Sequence, residues 1–225
     1  MNTFDLSDQP VRELNRALHQ EAANGQQFEV LHPGGKHNVA TGALFSCDVE
    51  IHGHVGYYCG GMNSEARIRI AGNAGPGLGE NMMSGEIRVQ GNASQYCGAT
   101  SHGGMMVING DAAARCGISM KGVDLVVGGS IGHMSAFMAQ SGRLVVCGDA
   151  GDALGDSIYE ARLYVQGKVA SLGADCIEKA MESEHVEELG QLLEHAGLNH
   201  DPKNFRRYGS ARQLYNFQVD NVSAY

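Results

Sequence analysis

From Val49 to Val165 the chain repeats one short alternation of apolar and other residues every 19 positions. One column of the alternation reads Val49, Ile68, Ile87, Met106, Leu125, Leu144 and Leu163. A second, two residues further on, reads Ile51, Ile70, Val89, Ile108, Val127, Val146 and Val165. Apolar residues two apart, mostly β-branched in the second column, predict a strand with one buried face. Two residues after that second column stands a glycine in every copy: Gly53, Gly72, Gly91, Gly110, Gly129, Gly148 and Gly167. A fixed period of this size, held without an insertion, is the signature of a stacked architecture.

The remaining columns define the coil. Two positions after the glycine come Val55, Ala74, Ala93, Ala112, Ile131, Ala150 and Val169. Three after it only Gly, Ala or Ser occurs, and seven after it only Gly or Ala. Small residues in register suit corners where the backbone turns and a Cβ would collide. Strands stacked about 4.8 Å apart on their equivalents make an all-β solenoid, a parallel β-helix of about seven 19-residue coils. Left-handed β-helices repeat every six residues, and 19 is not a multiple of six, so the right-handed form is expected. An earlier stretch, FEVLHPGG, puts Gly34 in phase but lacks the apolar residue at position 32, and reads as an irregular first turn.

Terminal covers are expected, because a solenoid has a raw edge and an open core at each end. Residues 1–27 contain SDQPVRELNRALHQEA, with Ser7 or Asp8 as N-cap and Val11, Leu14 and Leu18 as an apolar stripe. The coils occupy 28–175. Residues 176–198 contain SEHVEELGQLLEHAG, with Ser183 as N-cap, Val186, Leu189, Leu193 and Ala196 as stripe, and Gly197 as the stop. Residues 199–225 match no coil and read as an extended tail carrying FRRY and LYNF.

Composition narrows the function. A formal net charge of −9 argues against nucleic acid, whose phosphates demand clustered Lys and Arg. The start shows no basic n-region followed by an apolar stretch, and no run approaches a membrane span, so a cytoplasmic chain is expected. The cysteines at 47, 59, 97, 116, 147 and 176 include no CxxC pair, which weakens a zinc or iron–sulfur reading.

The residues that suggest chemistry are better explained by the repeat. GDAGDALG (148–155) and GPGLG (75–79) resemble phosphate loops. A dinucleotide fingerprint occurs once, however, with a helix behind it, whereas these glycines recur in every coil. Cys59, Cys97 and Cys116 share a column with Leu78, Ser135 and Leu154, so packing is expected of them. His52 and His54 alternate on a strand edge without an assigned third ligand. Asp149, Asp152 and Asp156 fall short of the six to eight oxygens of a calcium site. No stacked acidic cluster of the kind carbohydrate-cleaving β-helices need is present. No catalytic, cofactor-binding or metal-binding residue is therefore assigned to this chain.

One column is less ordinary. Three before each glycine stand Glu50, Arg69 and Arg88, then Val107, Val126, Val145 and Tyr164. These positions face outward, and an apolar stripe outside a rod must be covered. Either the chain's own C-terminal helix and tail or a partner subunit is expected to cover it. Phe205, Arg206, Arg207, Tyr208, Tyr215 and Phe217 of the tail are expected to hold a partner, since buried interface cores favour aromatics and arginine.

The array from Val49 to Ala174, with phrases such as GHVGYYCGG, GDAAARCGISMKG and GDAGDALGDSIY, resembles the GXGXG domain at the C-terminal end of the glutamate synthase large subunit. With its VRELN helix and RRYGSARQLYNF tail the whole chain looks most like the small β-helix subunits of N-methylglutamate synthases. The resemblance implies a right-handed β-helix without chemistry of its own, bracing an amidotransferase-like subunit against a synthase subunit that carries FMN and an iron–sulfur cluster. It implies an assembly converting methylamine and L-glutamate to N-methyl-L-glutamate and ammonia. A class II amidotransferase uses an N-terminal cysteine and the sequence opens Met1-Asn2, so that nucleophile is expected elsewhere. Alternatives are the β-helix subunit of formylmethanofuran dehydrogenase and an independent β-helix enzyme.

Overall fold

The 19-residue alternation folds into one strand per coil. These strands are β3 (Asp48–His52), β4 (Arg67–Ile70), β5 (Glu86–Val89), β6 (Met105–Ile108), β7 (Lys121–Val127), β8 (Ser141–Val146) and β9 (Arg162–Val165). Successive strands pair in parallel with the repeat in register: Ile68 lies between Val49 and Ile87, and Leu144 between Leu125 and Leu163. Both apolar columns are buried, none of their members more than 1% exposed. Full burial of one such side chain is worth about 1.5–3 kcal/mol, so the two columns supply the main driving force for stacking. The computed structural model describes residues 1–213 and confirms the all-β solenoid.

The opposite side of each coil is held differently. Val55, Ala74, Ala93, Ala112, Ile131, Ala150 and Val169 form a ladder of single parallel bridges. Beyond it the chain takes left-handed φ at alternate positions, as at Gly77, Gly79 and Asn81. Their N–H groups point alternately up and down the rod. Gly77 donates to the Gln95 carbonyl in the next coil, Gly79 to Cys59 in the previous one, and Asn81 to Ala99 in the next. Alternating donors in this way satisfy a turn that has neither helix nor sheet partners.

The irregular first turn joins the stack, and one further strand precedes it. β2 (Gln27–Leu31) pairs in parallel with β3, Phe28 opposite Val49 and Val30 opposite Ile51. That register is 21 residues, not 19. It puts His32, not Gly34, opposite Gly53, and His32 takes φ 50° there. β1 (Asn2–Asp5) adds a further parallel strand that the sequence pattern does not show. The helix α1 (Val11–Leu18) then closes the open core with Leu14 and Leu18, both fully buried. It starts after Pro10, whose extended backbone is the N-cap, and not at Ser7 or Asp8. Those two sit in a turn in which Asp5 accepts from the Ser7 N–H and hydroxyl.

The far end differs from expectation in its closure. β11 (Arg206–Ser210) runs antiparallel to β9, and β10 (Cys176–Lys179) runs antiparallel to β11. The tail therefore supplies one strand, β11, to the sheet, and its described part is not a free appendage. Reversal of direction, with Tyr208 2% exposed in the main core, ends the parallel stack at that side. The helix α2 (Ser183–Ala196) does not cap the end but lies along the flank. Its N-cap is Glu182, not Ser183: Glu182 and His185 form a reciprocal capping box, with His185 Nδ1 accepting from the Glu182 N–H at 3.1 Å. Gly197 ends it at φ 77°, as predicted.

Candidate functional site

Each outward position three before the repeat glycine meets α2 or a charged neighbour. Val107, Val126, Val145 and Tyr164 are fully buried in one cluster with Leu189, Leu192, Leu193, Ala196 and Phe205. The apolar stripe is thus covered by the chain's own helix. Of the two covers expected the chain's own is the one found: these four residues have no surface to give, and a partner interface at Val107, Val126, Val145 and Tyr164 is corrected. Phe205 belongs to the same seat and Tyr208 to the main core. Neither can hold a partner while the rod is folded. Arg206 is exposed and donates to the Gly167 carbonyl at 3.1 Å, and Arg207 donates to the Ala180 carbonyl at 2.9 Å. Tyr215 and Phe217 lie outside the described residues.

Polar contacts lock α2 in place. Glu188 accepts from the Tyr164 hydroxyl at 2.6 Å, from Arg162 at 2.9 Å and from Arg143 at 3.1 Å. Burial works against its charge, but those three hydrogen bonds outweigh it and hold the carboxyl below its ordinary range. The Tyr164 hydroxyl is pushed up by burial first and by the Glu188 carboxylate second. Arg143 also forks onto Asp124 at 2.5 and 2.6 Å. At the other end of the helix, Arg88 donates to the carbonyls of His195 and Ala196 at 2.6 and 2.9 Å. A guanidinium there satisfies the orphan carbonyls of the last turn and complements the helix dipole.

Beside α2 runs a cleft of about 560 Å³ lined by Arg67, Glu86, Asp124, Arg143, Glu188 and His195 among others. Its carboxylates are engaged: Asp124 and Glu188 by Arg143, and Glu86 by Arg88. His195 Nε2 also stands 3.6 Å from Glu86, so the cleft presents a set of paired charges. This network was missed at the sequence level. Its signal is the column five before the glycine, Asp48, Arg67, Glu86, Met105, Asp124, Arg143 and Arg162, where opposite charges stack 19 residues apart. Arg67 accordingly forks onto Asp48.

The residues that suggested chemistry are used between coils. The residue after each repeat glycine forms a ladder in which a side chain accepts from the backbone N–H one coil further on. His54 accepts from Asn73, Asn73 from Asn92, Asn92 from Asp111, Asp111 from Ser130, Ser130 from Asp149, and Asp149 from Lys168. His52 faces Glu29 at 3.2 Å. Asp152 accepts from the Ser171 hydroxyl and Asp156 from that of Ser157. The repeat glycines complete this ladder. An alanine Cβ at Gly72 would stand 2.6 Å from the Gly53 carbonyl, and one at Gly148 would stand 2.5 Å from Ser130 Oγ. Glycine is there for close approach between coils; of the seven, only Gly53 has a positive φ.

Cys59, Cys97 and Cys116 are fully buried, and burial pushes the Cys59 thiol up to about 12. The serine of that column, Ser135, is accommodated because its hydroxyl donates to the Gly132 carbonyl. Among the described residues no group of three or more His, Cys, Asp or Glu could hold a metal ion. No described helix is long and apolar enough to cross a membrane.

No family model matches the chain. Among curated proteins it is similar to Protein GlxC of Rhizobium meliloti (strain 1021), 58% identical over 228 residues, an alignment that covers 100% of each chain.

Proposed function

The chain belongs to the family of Protein GlxC, and from that premise we propose that it is the non-catalytic β-helix subunit of a glutamate-synthase-like assembly. Its role is to brace an amidotransferase-like subunit against a synthase subunit that carries FMN and an iron–sulfur cluster. The reaction proposed for the assembly is that of N-methylglutamate synthase, methylamine and L-glutamate giving N-methyl-L-glutamate and ammonia. The observation that carries the reading is the side-chain ladder from His54 to Asp149. The groups that would serve a nucleotide or metal site are spent on holding one coil to the next.

A rod stitched in this way is a stiff spacer, which suits a part that fixes the separation of two catalytic chains. The test is to purify the chain alone and together with the two partner chains. Alone, it is expected to show no flavin absorbance and no turnover of methylamine and glutamate. With both partners it is expected to co-purify and support turnover. Flavin bound by the lone chain, or turnover without partners, would overturn the proposal.

A further inference from the structure

The arginines of the rod have partners. Arg67, Arg69, Arg88, Arg143, Arg162 and Arg212 meet carboxylates within 3.1 Å, and Arg115 lies over the Tyr96 ring. Arg12 and Arg16 do not. Among the described residues neither makes an ion pair or a hydrogen bond. They stand four apart on α1, hence on one face. The helix beneath them is fixed by the buried Leu14 and Leu18 and by Asn15, which donates to the Asn38 carbonyl at 2.8 Å.

Both arginines line a groove of about 490 Å³ with His19 and His37. His19 Nε2 donates to the Thr41 carbonyl at 3.0 Å. His37 Nδ1 accepts from the Tyr57 N–H at 2.8 Å, which leaves Nε2 as a donor. The groove continues onto an apolar shelf. The His37 and Tyr57 rings meet edge to face at 6.4 Å, and Tyr57 lies 5.5 Å from Tyr58. Tyr57 is 47% exposed. Arg and Tyr are residues that protein interfaces concentrate.

The chain carries −9 overall, whereas the lining of this groove holds two arginines and no carboxylate, which suits an acidic partner. Arg12, Arg16 and His19 are exposed, and the groove lacks the enclosure that small-molecule sites have. We infer that this groove docks a carboxylate-bearing segment of a partner subunit, two acidic side chains meeting Arg12 and Arg16 and an apolar one resting on Tyr57. The inference rests on the reading of the chain as one subunit of an assembly, and it names the surface and the charge of what binds there.

The experiment uses the full chain with the amidotransferase-like and synthase-like chains. R12E/R16E is expected to melt like the wild type, since neither arginine has a partner among the described residues. It is expected to bind its partner about tenfold more weakly or worse, with the deficit largest at low salt. R12K/R16K, which keeps the charges but loses the planar fork, should fall between the two. Hydrogen exchange of the wild-type complex should show protection over 11–20 and at Tyr57 and Tyr58. A wild-type complex unaffected by R12E/R16E, or protected only elsewhere, overturns this inference and leaves the proposed function standing. Failure of the wild-type chain to form a complex with either partner retires both.

Discussion

The hydroxyl of Tyr164 donates to Glu188 at 2.6 Å, joining the last coil of the apolar stripe to the middle of α2. Arg143 and Arg162 converge on the same carboxylate. Glu188→Ala would leave the Arg162 guanidinium and a buried phenol without their acceptor, and Arg143 with Asp124 alone. A loss of about 1–3 kcal/mol is expected, read by urea unfolding, with faster hydrogen exchange along α2. Tyr164→Phe should cost less, about 1 kcal/mol, because it removes one donor and keeps the packing.

Acid should act through the same contact. The folded-state carboxyl of Glu188 lies below its ordinary value near 4.5. A depressed carboxyl contributes stability that is present above the unfolded value and is lost as pH falls through the folded one. Stability is therefore expected to be flat from neutral pH to about 5 and to decline below about 4.5. Glu188→Gln should lose part of that decline. An unchanged acid limb in the variant would show that other carboxylates dominate it.

The repeat glycines should tolerate alanine poorly for a steric reason. Gly72→Ala places a Cβ 2.6 Å from the Gly53 carbonyl, and relief requires prising two coils apart. A cost of about 1–3 kcal/mol is expected. Gly25 has φ 70° but nothing within 4 Å of its Cβ position, so Gly25→Ala should cost only the left-handed strain, about 1 kcal/mol. Equal losses would argue against coil contact as the reason for glycine.

Thiol titration should report the core. Cys59, Cys97 and Cys116 are fully buried, and Cys147 is the one cysteine with intermediate exposure. The native chain at pH 8 is expected to react at Cys147 first. Denaturant should release the others. Rapid native labelling of Cys97 or Cys116 would mean that the coils open.

Truncation tests the closing strand, with the full-length chain as the reference. A chain ending at 199 loses β11, Phe205 and Tyr208, and should melt lower and expose the cluster under α2. Equal stability of the two would contradict the pairing of β11 with β9.

The sequence by itself determined the coil. A buried pair of columns two residues apart and a glycine at fixed spacing leave one solution, because each coil can bury its apolar face only against identical neighbours. It also marked the outer stripe from Val107 to Tyr164 as a surface needing cover. What covers it was decided by tertiary structure: the stripe and the apolar face of α2 are equally good partners for each other or for another chain. Only the placement of Glu188 over Tyr164 and of Arg88 under Ala196 settles the choice. β1, β10 and β11 were illegible because their residues carry no repeat, and they become strands by pairing with an edge already formed. Arg12 and Arg16 looked like any helix surface in the sequence. Among the described residues neither has a counter-ion, a fact about three-dimensional distance that no local pattern encodes.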